Sequence, residues 1–265
     1  MFFVHIPHFA YLWLIVASTI AGMMNAMAGG GSFLSFPAML GVGVLPVQAN
    51  ATNTVALWPG QLTAVATLRD DLRRDLVWTV SLTSVIGGVG GAEVLLHTRQ
   101  STFSTLIPWL ILGGTVLFGV SGPVSRWIRR RARHVPVEGQ MERPISKVGL
   151  GLALLSVCFY VGYFGAGGGF LLMTIMALFG MENMHELNAM KVLGALVSNF
   201  FAIVTFVLTG FVVWHYCLVA MVFAGLGGFV GARFAKRANP NVLRWFVVVT
   251  GCVIAGYFFW KQARA

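Results

Sequence analysis

Two glycine triplets are the first residues whose type and spacing could do chemistry: Gly29-Gly30-Gly31 and Gly167-Gly168-Gly169, each opening a short apolar run. Three consecutive glycines hold a helix poorly. Each triplet is expected to unwind the chain before Ser32 or Phe170 begins a short helix. The freed N–H groups and positive dipole end at such a helix start favour an anion. A polar set follows each triplet. Asn50, Asn53, Thr54 and Gln61 lie at i, i+3, i+4 and i+11, one face of a helix. Asn188, Lys191 and Asn199 recur in a later apolar run. Polar groups in a lipid setting turn toward protein or water. These faces are therefore expected to look inward, the amides donating hydrogen bonds to an anion and Lys191 supplying charge. Asn25, Ser35, Gln61 and Tyr163 are lesser binding candidates. The blander alternatives stay open: glycines that merely allow close helix crossing, amides that bond across helices, and a lysine that snorkels to the surface.

Other chemistries lack residues to carry them. Of the eight acids only Glu93 lies within an apolar run, near its end, so the carboxylates normal for cation or metal transport are missing. His5, His8, His97, His134, His185 and His215 are scattered near segment ends without ligand spacing. Cys158, Cys217 and Cys252 sit singly in apolar runs, with no CxxC. No Ser-His-Asp, Cys-His or paired-carboxylate arrangement is evident. No catalytic residue, metal site or cofactor is expected.

The elements that must position these residues follow from composition. The 265 residues are 57% hydrophobic and 10% charged, with mean hydropathy +0.81. A soluble domain is about 45–50% apolar and roughly 25% charged. The chain reads as an all-α integral membrane protein. The net charge of +10 invites a nucleic-acid reading, but every Lys and Arg except Lys191 lies in a connection, at a segment end or at the C-terminus. That pattern fits positive-inside orientation and contact with membrane lipids, and no nucleic-acid partner is expected. Ala26-Met27-Ala28 imitates a leader cleavage site, but no Lys or Arg precedes Arg69, so residues 8–27 are read as a retained span.

About ten hydrophobic segments can be counted: 8–28, 30–45, 47–68, 76–96, 103–122, 146–165, 167–181, 187–210, 213–234 and 241–261. The second and seventh are short and glycine-broken. A basic stretch, 126–147, separates a first repeat, 1–125, from a second, 148–265. Shifting the first repeat by 138 residues lays Ala28-Gly29-Gly30-Gly31 on Ala166-Gly167-Gly168-Gly169 and Asn50-Ala51 on Asn188-Ala189. Two further residues of offset lay Gly87-Gly88 and Gly91 on Gly227-Gly228 and Gly231. Basic residues swap between equivalent loops. Arg69, Arg73 and Arg74 follow segment three, whereas in the second repeat Arg233, Lys236 and Arg237 follow segment nine. Such a swap predicts two inverted five-segment repeats with the basic 126–147 linker in the cytoplasm and both termini outside. An eight-span version with re-entrant segments two and seven is the alternative. The Gly87/Gly91 and Gly227/Gly231 spacings are read as close helix packing, and a homo-oligomer is compatible with them.

Asn25-Ala-Met-Ala-Gly-Gly-Gly-Ser-Phe-Leu with Pro37, and the later Gly165-Ala-Gly-Gly-Gly-Phe-Leu, resemble the sulfite exporter TauE/SafE family, also called the toluene-sulfonate uptake permease family. The resemblance covers nearly the whole chain. It implies a multi-pass carrier in a prokaryotic cytoplasmic membrane that exports a small sulfur anion such as sulfite, a sulfonate or sulfoacetate. Alternating access between inverted repeats would move it. The residues alone leave open a channel or carrier for other small anions or solutes, a membrane enzyme acting on lipid, and an assembly subunit. Repeat symmetry is broken at two places: Pro37 is matched by Ile175, and Asn53 by Lys191.

Overall fold

A computed structural model of the chain describes residues 7–27, 30–133, 147–234 and 240–264. Among them lie eleven α-helices, one 3-10 turn and no strand. They are α1 (Pro7–Met27), α2 (Ser32–Gly41), α3 (Pro46–Leu57), α4 (Pro59–Thr67), α5 (Arg74–His97), α6 (Gln100–Arg133), α7 (Lys147–Tyr163), α8 (Gly168–Leu178), α9 (Met184–Leu208), α10 (Trp214–Phe234) and α11 (Pro240–Ala263). Six of them (α1, α5, α6, α9, α10 and α11) contain a stretch long and apolar enough to cross a membrane. The shorter apolar α7 and the end-to-end pair α3–α4 correspond to the sixth and third expected segments. The half-length α2 and α8 complete the ten expected segments.

Three boundaries depart from the sequence reading. The segment expected as continuous over 47–68 breaks at Trp58, because Pro59 has no N–H to donate and starts a fresh helix. Gln61 thus stands on α4 rather than on the helix of Asn50 and Asn53. The fifth segment does not stop at 122: α6 continues to Arg133, about 51 Å at 1.5 Å per residue, so the first part of the basic 126–147 stretch is helical. Residues 134–146 of that stretch lie outside the described residues. Finally, α8 starts at Gly168, two residues before the expected Phe170. Within the triplet Gly167, with φ +76°, takes the left-handed conformation, and together with Gly165, also at φ +76°, it redirects the chain into helix.

The expected close crossings are present and reciprocal. On α5, a methyl group added at Gly87 would fall 2.6 Å from Cys158 Cβ of α7. On α10, one at Gly231 would fall 2.7 Å from Met23 Cα of α1. Backbone therefore meets backbone along both seams, which in lipid requires small residues.

A lattice of hydrogen bonds ties one set of helix ends together. Val47 N–H donates to Gln100 Oε1 (3.0 Å), Val213 N–H to Thr52 Oγ1 (3.0 Å), Tyr216 OH to Val42 O (3.4 Å) and Gln262 Nε2 to Ser104 O (2.8 Å). The starts of α3, α6 and α10 and the end of α11 share that face. At the opposite face, Leu76, Met181 and Leu187 pack together where α5 and α9 begin. Helix direction places Arg69, Arg73, Arg74, the end of α6 and Arg233 there, whereas Arg99, Lys261 and Arg264 stand on the first face. Lys236 and Arg237 lie outside the described residues.

Candidate functional site

The first triplet is held by α1. Gly30 has φ +88°, and the Gly31 N–H donates to Asn25 Oδ1 at 2.7 Å. A methyl at Gly31 would fall 2.9 Å from the Ala21 carbonyl carbon, so α2 begins beside the middle of α1, inside the bundle. One turn along, the Ser35 hydroxyl donates to Asn53 Oδ1 (2.5 Å), with the Gly31 carbonyl 3.2 Å from the same oxygen. Asn53 is 3% exposed, and its Nδ2 has no acceptor among the described residues. The Ser32 N–H is likewise without one. Gly29 lies outside the described residues.

The second triplet has a matching arrangement with different chemistry. A methyl at Gly169 would fall 3.6 Å from Lys191 Cδ and 3.8 Å from its Cγ, so the lysine stem runs across the start of α8. Lys191 stands 22 residues after Gly169, as Asn53 stands 22 after Gly31. Its side chain is partly buried and makes no ion pair among the described residues. The acids lie elsewhere. Glu93 is half exposed beside His97 at the end of α5, and Asp70, Asp71 and Asp75 flank the start of that helix. Glu182 and Glu186 stand at the start of α9, where Glu186, five residues before Lys191, accepts from Asn183 Nδ2 (3.3 Å). Asn188, three residues before Lys191, is partly buried and has no hydrogen bond to a described residue from its side chain.

Helix α6 brings the two helix starts together. Phe33, just after the first triplet, and Phe170, just after the second, both meet the ring of Phe118, at 6.3 Å and 5.2 Å between centroids. A methyl at Gly114 would fall 3.0 Å from both Ala166 O and the Phe33 ring. The sequence reading missed both α6 residues, since the fifth segment shows no repeat similarity; the pair Gly113-Gly114 was the available signal. It also missed Tyr160, whose OH donates to Ala166 O (2.6 Å) and fixes the turn into α8.

The remaining candidates mostly bond to protein. Asn50 Nδ2 donates to Tyr163 O (3.0 Å), tying α3 to the end of α7, while the Tyr163 ring meets Phe103 at 5.8 Å. Asn199 Nδ2 donates to Gln61 Oε1 (3.1 Å), and Trp58 Nε1 to Leu196 O (3.2 Å). Each of these last two pairs is 138 residues apart, the same shift that superposes the glycine motifs. Among the described residues, Ser32 N–H, Asn53 Nδ2, Asn188 Nδ2 and Lys191 Nζ are donors without a partner around the two helix starts. They form a donor set with a positive charge and no carboxylate.

These features define a multi-pass helical membrane protein with half-length helices at the core of its bundle. The family model for sulfite exporter TauE/SafE matches residues 14–258. The chain belongs to that family and is a membrane transporter. Among curated relatives, the probable membrane transporter protein YfcA of Escherichia coli strain K12 is 26% identical over 252 residues, covering 91% of this chain and 87% of the relative. The probable membrane transporter protein ORF9 of Sinorhizobium sp is 26% identical over 246 residues (92% and 90%). A probable membrane transporter protein of Haemophilus influenzae is 24% identical over 258 residues, 94% of each chain. No solved structure matches the chain.

Proposed function

We propose that the protein carries a small sulfur oxyanion, such as sulfite, a sulfonate or sulfoacetate, out of a prokaryotic cytoplasm, with no chemical step. The single observation that carries the anion reading is Lys191. An ammonium that reaches into a helix bundle with no acidic partner among the described residues is costly unless a counter-charge arrives. A transported anion supplies that charge. Ser32 N–H, Asn53 Nδ2 and Asn188 Nδ2 then hydrogen-bond its oxygens, and the two helix starts add their positive dipole ends. Sulfur chemistry and the outward direction come from the family.

Alternating access is the mechanism. The two repeats are taken as inverted, supported by the 138-residue contacts Gln61–Asn199 and Trp58–Leu196, which join equivalent positions of the two repeats as a two-fold axis would. Rocking of one repeat against the other about that crossing would expose the site to each side in turn. The basic helix ends face the cytoplasm by the positive-inside rule, and both chain ends face outward.

Thermal stabilisation of the purified protein tests this reading. The panel holds sulfite, sulfate, taurine, sulfoacetate, a toluene sulfonate, acetate and chloride. A ligand of the folded state raises the midpoint with the logarithm of its concentration over Kd. A sulfur anion is expected to stabilise the wild type and not Lys191→Ala. Equal stabilisation of both proteins removes the assigned role of Lys191, and no response to any anion removes the anion site itself.

A further inference from the structure

Equivalent positions beside the two glycine triplets carry unequal charge. On the first side stands Asn53, nine-tenths and more buried, with Oδ1 taken by Ser35 and Nδ2 unused. On the second stands Lys191, its stem packed along Gly169. Asn53 and Lys191 each stand five residues before the two members of the Trp58–Leu196 contact, and the two positions are taken as lining one central region. Among the described residues no acid pairs with Lys191 or bonds Asn53. We infer that the site is built for one negative charge, and that Asn53 sets this valence by placing a neutral donor where the other half places an ammonium. The inference rests on the anion-carrier reading above and narrows it to monoanions, a sulfonate or hydrogensulfite, leaving out the sulfoacetate and sulfite dianions.

The physical reason is the cost of uncompensated charge. A sulfonate brings one charge, met by one ammonium, and its three oxygens accept from the amides and the helix starts. A dianion of similar size brings a second charge into a region that offers, beyond the one ammonium, only neutral donors and the partial charges of two helix starts. That second charge has to give up its hydration without a full counter-charge, which disfavours it away from bulk water.

The experiment compares methanesulfonate with sulfate, as potassium salts at equal ionic strength, by thermal stabilisation of the full-length protein in detergent. Four proteins are needed: wild type, Asn53→Lys, Lys191→Asn, and the exchange Asn53→Lys/Lys191→Asn. Wild type is expected to bind methanesulfonate at least about tenfold more tightly than sulfate, a difference of about 1.4 kcal/mol. Asn53→Lys should reverse that order, Lys191→Asn should lose both responses, and the exchange should recover the preference for methanesulfonate. Equal or tighter binding of sulfate by wild type overturns the valence assignment while leaving an anion carrier intact. So does an unchanged order in a folded Asn53→Lys. Silence of wild type toward both salts overturns the carrier reading instead. The wild-type ratio needs no variant, so a misfolded Asn53→Lys does not protect the inference.

Discussion

The seam between α1 and α10 permits a worked perturbation, Gly227→Ala. A methyl at Gly227 would sit 2.8 Å from the Thr19 carbonyl carbon and closer still to its oxygen. Two carbons rest at about 3.5–4.0 Å, so the helices must part by roughly 0.7 Å or more at this level. A gap of that order forfeits about a quarter to a half of the contact energy of the atoms lining it. Forced overpacking costs about 1–3 kcal/mol, against which Ala regains about 1 kcal/mol in helix propensity. The control is Gly225→Ala on the same helix, where an added methyl meets no atom within 4 Å. That change should be neutral or stabilising by up to about 1 kcal/mol. The propensity gain is common to both variants, so at about 2–4 °C per kcal/mol for a chain of this size Gly227→Ala should melt about 2–12 °C below Gly225→Ala in the same detergent. Equal midpoints would refute the backbone-on-backbone packing. Because α1 also holds the start of α2 through Asn25, Gly227→Ala should weaken anion binding as well.

Two further outcomes are expected. In a cysteine-free background, Asn188→Cys should react with a small membrane-impermeant thiol reagent much faster than Asn53→Cys, since Asn188 is partly exposed and Asn53 is 3% exposed; matching rates would contradict this difference in access. Phe118→Ala removes the ring that both helix starts pack against, and should cost about 3–5 kcal/mol as a buried aromatic truncation while lowering anion affinity. Lost affinity without lost stability would mean that Phe118 touches the ligand rather than spacing the helices.

The membrane class was legible because lipid leaves few solutions: an apolar chain of this length with its charges confined to connections must span as helices. The glycine triplets were legible for a similar reason, since three residues without Cβ lack any local preference for helix. Their detail was not. The sequence reading started α8 at Phe170, whereas two left-handed glycines, Gly165 and Gly167, turn the chain and let Gly168 and Gly169 join the helix. Trp58-Pro59 was visible as a helix breaker, but periodicity across 50–61 hid it, and Gln61 was assigned to the wrong helix.

Residue type and spacing by themselves determined that polar groups lie in the membrane interior, because an amide or ammonium in an apolar run is visible in one dimension. Which of them remain free was decided only by tertiary structure. Asn25, Asn50, Gln61 and Asn199 look like binding residues in sequence, yet each meets a partner at least six residues away, and for three of them more than 100 away. Asn53 Nδ2, Asn188 and Lys191 look no different in sequence and have no such partner among the described residues. Hydrogen-bond satisfaction is a property of pairs brought together by packing, and the pairing of Asn53 with Ser35 or of Lys191 with Gly169 depends on where α2 and α8 turn back into the bundle.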